Sequence, residues 1–347
     1  ALLDALAEQG GNGSHLLRET IFLRDVRQDA GAVLAGRARA LAARGHSLPA
    51  PRPLVVQQPP ATHDGAFEVA AHALIPHPAT RWQVRDLDAE AGCDCVDCRR
   101  SGARLVQCGD QQSLQTTQIP GSGAGPEEQA ANMFRAAERL LAVAGMSFRH
   151  VVRTWIHLRD IDRDYGVLNA ARRRFFRDAG IDLRPASTGV AGAMASSTHD
   201  ISLSLIALRA DDAAAGIDVR PMSTPLLNEA WSYGADFSRG LRVTDANAVT
   251  LHVSGTASLD EAGRSVHSGD LDRQAARMLD NIATLLDGSR ATPADLLSGV
   301  AYVRDAADGP RLRELFAQRG FDAFPCAFVA APLCRPELLC ETEVVAL

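Results

Sequence analysis

Val152-Arg153-Thr154-Trp155-Ile156-His157-Leu158-Arg159-Asp160 reads as a strand ending in Arg-Asp, and the chain carries it three times. Without gaps it aligns with Leu17-Arg18-Glu19-Thr20-Ile21-Phe22-Leu23-Arg24-Asp25 upstream and with Leu297-Ser298-Gly299-Val300-Ala301-Tyr302-Val303-Arg304-Asp305 downstream. In the second and third copies the preceding helix matches too, with Gln129-Ala130-Ala131-Asn132-Met133 against Gln274-Ala275-Ala276-Arg277-Met278. A period this long marks duplicated domains rather than a solenoid of short repeats.

Working outward, each Arg-Asp leads into a second helical pattern, over 30–44, 165–178 and 309–319. A Pro-containing turn and a last strand come after each helix, at 68–74, 200–208 and 338–347. Copies two and three open with a β-hairpin, at 103–119 and 241–259. The repeated unit is therefore ββαβαβ, with two helices on one face of a four-stranded sheet, an α+β layer arrangement. The first copy starts inside its first helix without a hairpin, so it is a partial unit unless the missing part lies upstream. The spacing divides the chain into a partial unit at 1–76, a linker with a Cys-rich insertion at 77–102, and full units at 103–215 and 216–347.

The closing strand carries two carboxylates among apolar neighbours. Period-two alternation puts Leu338, Cys340, Thr342, Val344 and Ala346 on one face, which reads as core. Leu339, Glu341, Glu343 and Val345 share the other face, which is either solvated or lines a cleft. Glu341 is the candidate acid of a buried site.

Composition narrows the function classes. Of the 347 residues, 46% are hydrophobic and 22% charged, which is soluble globular content. A net charge of −6 and the absence of a basic block rich in aromatics speak against nucleic-acid and membrane-surface partners. No apolar run approaches the roughly 20 residues that span a bilayer, and no signal peptide opens the sequence, so the expected location is cytoplasmic. All 36 basic residues are Arg, which rules out Schiff-base chemistry on Lys. A GC-rich coding bias accounts for the excess better than chemistry does, while Arg offers forked recognition of carboxylates.

Cys93, Cys95 and Cys98 form a Cys-x-Cys-x2-Cys run, and Cys108 comes after a short basic stretch. A hairpin turning back could bring four thiolates around one structural zinc ion, with His77 or a carboxylate as the alternative to Cys108. In a reducing compartment a metal is favoured over a disulfide.

The element order and the Glu341-Thr342-Glu343-Val344 ending resemble the Rid (YjgF) family, of chorismate mutase-like fold, whose single-domain members are homotrimers with sites in the clefts between subunits. Three linked copies then imply a pseudo-trimer in one chain. Rid imine deaminases hold the substrate carboxylate with an Arg at the start of the strand before the last. The aligned positions here are Ser187 and Cys326, so the resemblance does not extend to ordinary imine deamination.

Copies two and three together resemble the chorismatases, two-domain Rid-fold enzymes that remove pyruvate from chorismate. Arg153-Thr154-Trp155 is similar to their Arg-x-Trp strand, Tyr165 with Arg172 to a Tyr-x6-Arg helix, and Pro185-Ala186-Ser187-Thr188-Gly189 to a Pro-Ala-Ala/Ser-Thr-Gly turn. Phe237-Ser238-Arg239 resembles their Phe-x-Arg, and Cys334-Arg335-Pro336-Glu337-Leu338-Leu339-Cys340-Glu341 their closing Cys/Ala-Arg-x-Asp-Leu-Leu-Val-Glu, which puts the catalytic Glu on Glu341. In that family a Gly in the second hairpin strand and a Cys seven residues before the Glu mark members that make 3-hydroxybenzoate, and hydrolytic members have Ala at both. Here the two positions are Gly255 and Cys334. The chain departs from the family in its amino-terminal unit, its Cys-rich insertion, and Asn169-Ala170-Ala171 in place of a Cys-x-Gly. The resemblance implies a small-molecule carboxylate as partner of a monomer or homodimer, and a chorismate lyase or hydrolase without a catalytic cofactor, in which Arg153, Arg172, Arg239 and Tyr165 hold the substrate and Cys334 assists as a nucleophile or as a small polarizable wall. The alternative is a divergent Rid enzyme, or a binder, for another small carboxylate such as an imine or enamine in secondary metabolism.

Overall fold

The computed structural model describes residues 2–43, 51–89, 93–210, 216–245 and 248–347. The end of the helix expected at 30–44, part of the expected linker (90–92) and the end of the second expected unit (211–215) lie outside the described residues. The first unit contains α1 (Leu2–Glu8), β1 (Leu16–Leu23), α2 (Val26–Ala42), β2 (Leu54–Gln57) and β3 (Phe67–Ala73). The second contains β4 (Trp82–Asp88), β5 (Gly102–Cys108), β6 (Gln111–Thr116), β7 (Ile119–Pro120), α3 (Pro126–Val143), β8 (Val151–Leu158), α4 (Ile161–Asp178), β9 (Ala186–Ala191) and β10 (Ile201–Ala210). The third contains β11 (Asp218–Pro221), β12 (Gly240–Thr244), β13 (Val249–Ala257), α5 (Leu271–Asp287), β14 (Leu296–Val303), α6 (Gly309–Gln318), β15 (Cys326–Ala330) and β16 (Cys340–Ala346).

Each copy of the repeated stretch is an inner strand of its own sheet: β1 between β2 and β3, β8 between β10 and β9, β14 between β16 and β15. In each case it runs parallel to the next strand and antiparallel to the last. A parallel neighbour demands a crossover, which α2, α4 and α6 supply. The Arg-Asp ending has a physical reason in all three units. Asp25, Asp160 and Asp305 cap the succeeding turn or helix, accepting hydrogen bonds from Arg27, Arg163 and Ala307 backbone N–H groups respectively. The arginines reach across to carbonyls of the loop before the last strand. Arg24 Nη2 donates to His63 and Gly65, Arg159 Nη2 to Ser196 and His199, and Arg304 Nη2 to Leu333 and Arg335.

The helices bury one stripe each. On α5 the stripe runs through Gln274, Ala275, Met278, Leu279, Ile282, Leu285 and Leu286, the spacing of a single helix face. Among the described residues the sheets hold three, seven and six strands rather than four each. One added strand, β4, lies in the stretch expected to be linker, where it pairs antiparallel with β5 along its whole length. Only Leu87 of β4 is buried, as suits an edge strand. Strand β3 pairs with β1 alone among the described residues.

Replacing Asp160 by Ala should lower stability by about 1 kcal/mol through loss of the α4 cap. A urea titration monitored by circular dichroism checks it, and an unchanged midpoint would contradict the assigned cap.

Candidate functional site

Between the second and third units lies a cleft of about 280 Å³. From the second unit, α4 presents Tyr165, Asn169 and Arg172 on one face, spaced four and three residues apart, and β9 presents Ser187 and Gly189. From the third come Phe237 and Arg239 before β12, Gly255 on β13, Cys334 and Arg335 before β16, and Glu341 on β16 itself. Strand β16 is inserted between β13 and β14, with Glu341 opposite Ala257 on one side and Tyr302 on the other. The alternation of the closing strand therefore has no solvent face. Both Glu341 and Glu343 are buried, at 4% and 5% exposure.

Burial pushes the Glu341 carboxyl up to about 8, aided by the neighbouring Glu343 and opposed by Arg153, Arg239 and Arg335. Near neutral pH it is mostly a neutral acid. The pairing register of β13 shifts between Val253 and Thr256, and Gly255 sits in this irregularity beside the acid. A Cβ built on Gly255 would lie 2.0 Å from Glu341 Oε1, so glycine sets the position of the carboxyl. Cys334 hydrogen-bonds with Tyr165, and burial together with Glu341 pushes its thiol up to about 12. It is a neutral thiol, not a resident thiolate.

The cations are held by their own partners. Arg172 Nη2 donates to Asn169 Oδ1 at 2.6 Å, and Arg239 Nε donates to the Asn228 carbonyl at 2.8 Å. Both guanidinium groups approach the ring of Phe237, at 5.6 and 5.8 Å. Arg335 Nη1 donates to the Gly263 carbonyl at 2.8 Å. Arg335 and Asn169 are cleft residues that the sequence reading did not single out, although Asn169 shares a helix face with Tyr165 and Arg172, and Arg335 adjoins Cys334.

Arg153 corrects an expectation. It does not line this cleft: it is 1% exposed, and its Nη2 donates to Glu343 Oε2 at 2.8 Å and to Thr188 Oγ1 at 2.5 Å. Trp155 Nε1 donates to the other Glu343 oxygen at 2.6 Å, and Thr188 Oγ1 accepts from Gly255 N–H at 3.0 Å. The pair thus braces the wall that carries Gly255 and Glu341 instead of offering a fork to a ligand.

Away from the cleft, Cys93, Cys95, Cys98 and His199 offer four ligand atoms all within 4.8 Å of one another, a group that could hold a metal ion. His199 Nε2 lies 3.1–3.6 Å from the three Sγ atoms, and the Cys93 and Cys98 sulfurs are 3.5 Å apart. The fourth position belongs to His199 and not to Cys108, the second correction. Strand β5 runs from Gly102 to Cys108, carrying Cys108 roughly 20 Å from the insertion at about 3.3 Å per residue. His77, the other residue considered, is outside the group as well.

No family model matches the sequence. Among characterised proteins, the chain is 30% identical over 97 residues to the 3-aminoacrylate deaminase RutC of Acinetobacter baylyi, covering 28% of this chain and 77% of that protein. It is 26% identical over 223 residues to the 3-hydroxybenzoate synthase of Streptomyces hygroscopicus, covering 57% of this chain and, just short of two thirds, 64% of that enzyme. A crystal structure of a chorismatase superposes with a TM-score of 0.66 at 20% identity, covering 96% of this chain and 93% of the other, so the two share a fold. With its Rid-like units and its match to most of RutC, the chain belongs to the Rid (YjgF) superfamily.

Proposed function

We propose that this protein is a chorismatase-like enzyme that releases pyruvate from chorismate and forms 3-hydroxybenzoate. The observation that carries the reading is Glu341, a buried acid held at about 8 in a cleft bordered by Arg172, Arg239 and Arg335. Chorismate carries two carboxylates and an enol ether, so its site needs forked cations and one proton donor for the terminal methylene carbon. Neutral Glu341 gives its proton to that carbon, and the ether becomes an oxocarbenium ion beside the new carboxylate. In the hydrolytic route water traps the cation, and the hemiketal's bond to the ring oxygen breaks as pyruvate leaves. In the aromatising route the neighbouring ring hydroxyl traps it. That oxygen's bond to the ring and the other ketal C–O bond then break as pyruvate leaves, and the ring C–H proton returns to the Glu341 carboxylate. Chorismate has the atoms of pyruvate plus 3-hydroxybenzoate, so the aromatising route consumes no water, whereas the hydrolytic route takes up one. Gly255 and Cys334 support the aromatising route through the resemblance to 3-hydroxybenzoate-forming enzymes. As a neutral thiol touching Tyr165, Cys334 acts in this reading as a polarizable wall and a proton relay. The reading requires no catalytic cofactor.

A second reading, protonation of an enamine with subsequent loss of ammonia, is favoured by the match to RutC. Ser187 opposes it, since it occupies the position of the imine deaminases' carboxylate-binding Arg.

The same proposal places a structural zinc ion among Cys93, Cys95, Cys98 and His199. Tetrahedral zinc with bonds of about 2.0–2.3 Å sets its ligands about 3.3–3.8 Å apart, close to the spacing here. His199 Nδ1 lies 2.7 Å from the Gly121 carbonyl, a contact that fixes the proton there and frees Nε2 for the metal. Four protein ligands close the coordination shell, as in structural sites.

Incubation with chorismate should yield equal amounts of pyruvate and 3-hydroxybenzoate by chromatography, and Glu341→Gln should lower kcat by about 10²–10⁴-fold. No pyruvate at high enzyme loading sinks the assignment, and release of ammonia from an enamine substrate would favour the second reading. Because the acid must be protonated, kcat/KM should hold below about pH 8 and fall above it. Glu343→Gln removes a like charge and frees Arg153, so it should move that fall to lower pH; an unmoved profile would detach Glu343 from the acid. Protein purified under reducing conditions should contain one zinc per chain by elemental analysis, lost with a lower Tm in His199→Ala, and metal-free wild-type protein of unchanged Tm refutes the zinc site.

A further inference from the structure

The internal repeat makes three clefts pseudo-equivalent, and each has become something different. The register identifies their counterparts. Glu341 pairs with Tyr302, and Glu68 pairs with Phe22, the residue aligned with Tyr302. Ser187 pairs with Thr154, and Cys326 pairs with Gly299, the residue aligned with Thr154. Glu68 and Cys326 therefore hold, between the first and third units, the positions that Glu341 and Ser187 hold between the second and third. They border a cleft of about 400 Å³. The remaining cleft, between the first and second units, is nearly filled at about 20 Å³. There Arg104, 2% exposed, pairs with Asp86 and donates to the Leu16 carbonyl.

The open cleft has an unbalanced charge at its inner end. The Arg18 guanidinium lies over the Trp155 ring, its Cζ 3.4 Å from the centroid, and its Nη1 is buried with no hydrogen-bond partner among the described residues. Arg153 lines the same cleft, so two desolvated guanidinium groups face Glu343, whose oxygens accept from Arg153 and Trp155. At the outer end Glu68 is engaged by His63 at 2.9 Å, and His72 contacts Ser298 Oγ at 3.2 Å. Burial, with the nearby guanidinium groups adding to it, pushes His72 and His157 down to about 4 and His252 to about 3, so these imidazoles add no charge. Val69, Val300 and Val344 supply an apolar wall.

We propose that this cleft between the first and third units, with Arg18 at its inner end and Glu68 at its mouth, is a second binding site for a small carboxylate. Its planar guanidinium group suits a carboxylate, and its size and valine wall exceed what an inorganic anion fills. The proposal does not depend on turnover at Glu341. Calorimetric titration of the full chain with 3-hydroxybenzoate and, separately, with pyruvate tests it, each alongside crystals soaked in the same compound. At least one of the two should occupy this cleft, the responding arm telling a ring carboxylate from a keto acid. Arg18→Gln should weaken that binding at least tenfold. Val69→Trp, which fills the cleft from the half-buried β3, should abolish it and covers the case in which Arg18→Gln fails to fold. Ligand density confined to the Glu341 cleft, affinity unmoved by Val69→Trp, or equal competition by inorganic sulfate would overturn the proposal.

Discussion

The buried ion pair of Arg153 with Glu343 is the contact on which the rest of the site depends. It joins the second unit to the third, and the first unit reaches it through Arg18, stacked on the same Trp155 that donates to Glu343. Taking such a pair out of water is expensive unless its remaining hydrogen-bonding capacity is met, and breaking one by removing a partner typically costs about 3–5 kcal/mol. Here Trp155 and Thr188 meet much of it. The ion pair thus ties the second sheet to the third, with the first stacked against it through Arg18, and places a second carboxylate two residues from Glu341. The carboxylate that stabilises the junction is the one that helps keep the acid protonated.

Much of this architecture was legible in the sequence, because the threefold recurrence of one strand and its Arg-Asp ending reports local requirements. The Asp caps the next turn or helix, the Arg ties down the loop before the last strand, and both act within one unit. Glu341 is legible as a carboxylate among apolar neighbours and through the closing motif's resemblance to the chorismatases, although alternation alone leaves its face either solvated or lining a cleft. Partnerships across the chain could not be read in the same way. Nothing near Arg153 announces that its carboxylate lies 190 residues on, so it looked like a free fork for substrate. His199 joins the cysteines from more than 100 residues away, whereas Cys108, near in sequence, is carried off by an extended strand. Strand β4 escaped notice because its alternating polar residues keep almost none of an edge strand's side chains buried.

Linking the three units in one chain releases them from identity. In a homotrimer a substitution alters all three clefts together, so a plug like Arg104 would close every site. Here Arg104 fills one cleft, Glu341 and its arginines furnish another, and Arg18 with Glu68 shape the third. Where the second unit has Ser187 and the third Cys326, the first presents neither at a cleft of comparable width. The divergence tracks the pattern of contacts, since each cleft is built from a different pair of units.

The outer edge of strand β3 has a further consequence. In the other sheets the strand equivalent to β3 has a ladder on both sides, through β6 and β8 or through β13 and β14. Among the described residues strand β3 has one, which leaves a row of backbone N–H and C=O groups facing outward. Such a rim is a template for strand addition, and Glu68 and His72 bring polar side chains to the strand that carries it. At this position the first sheet, unlike the other two, can be lengthened by another extended segment without displacing a strand already paired among the described residues.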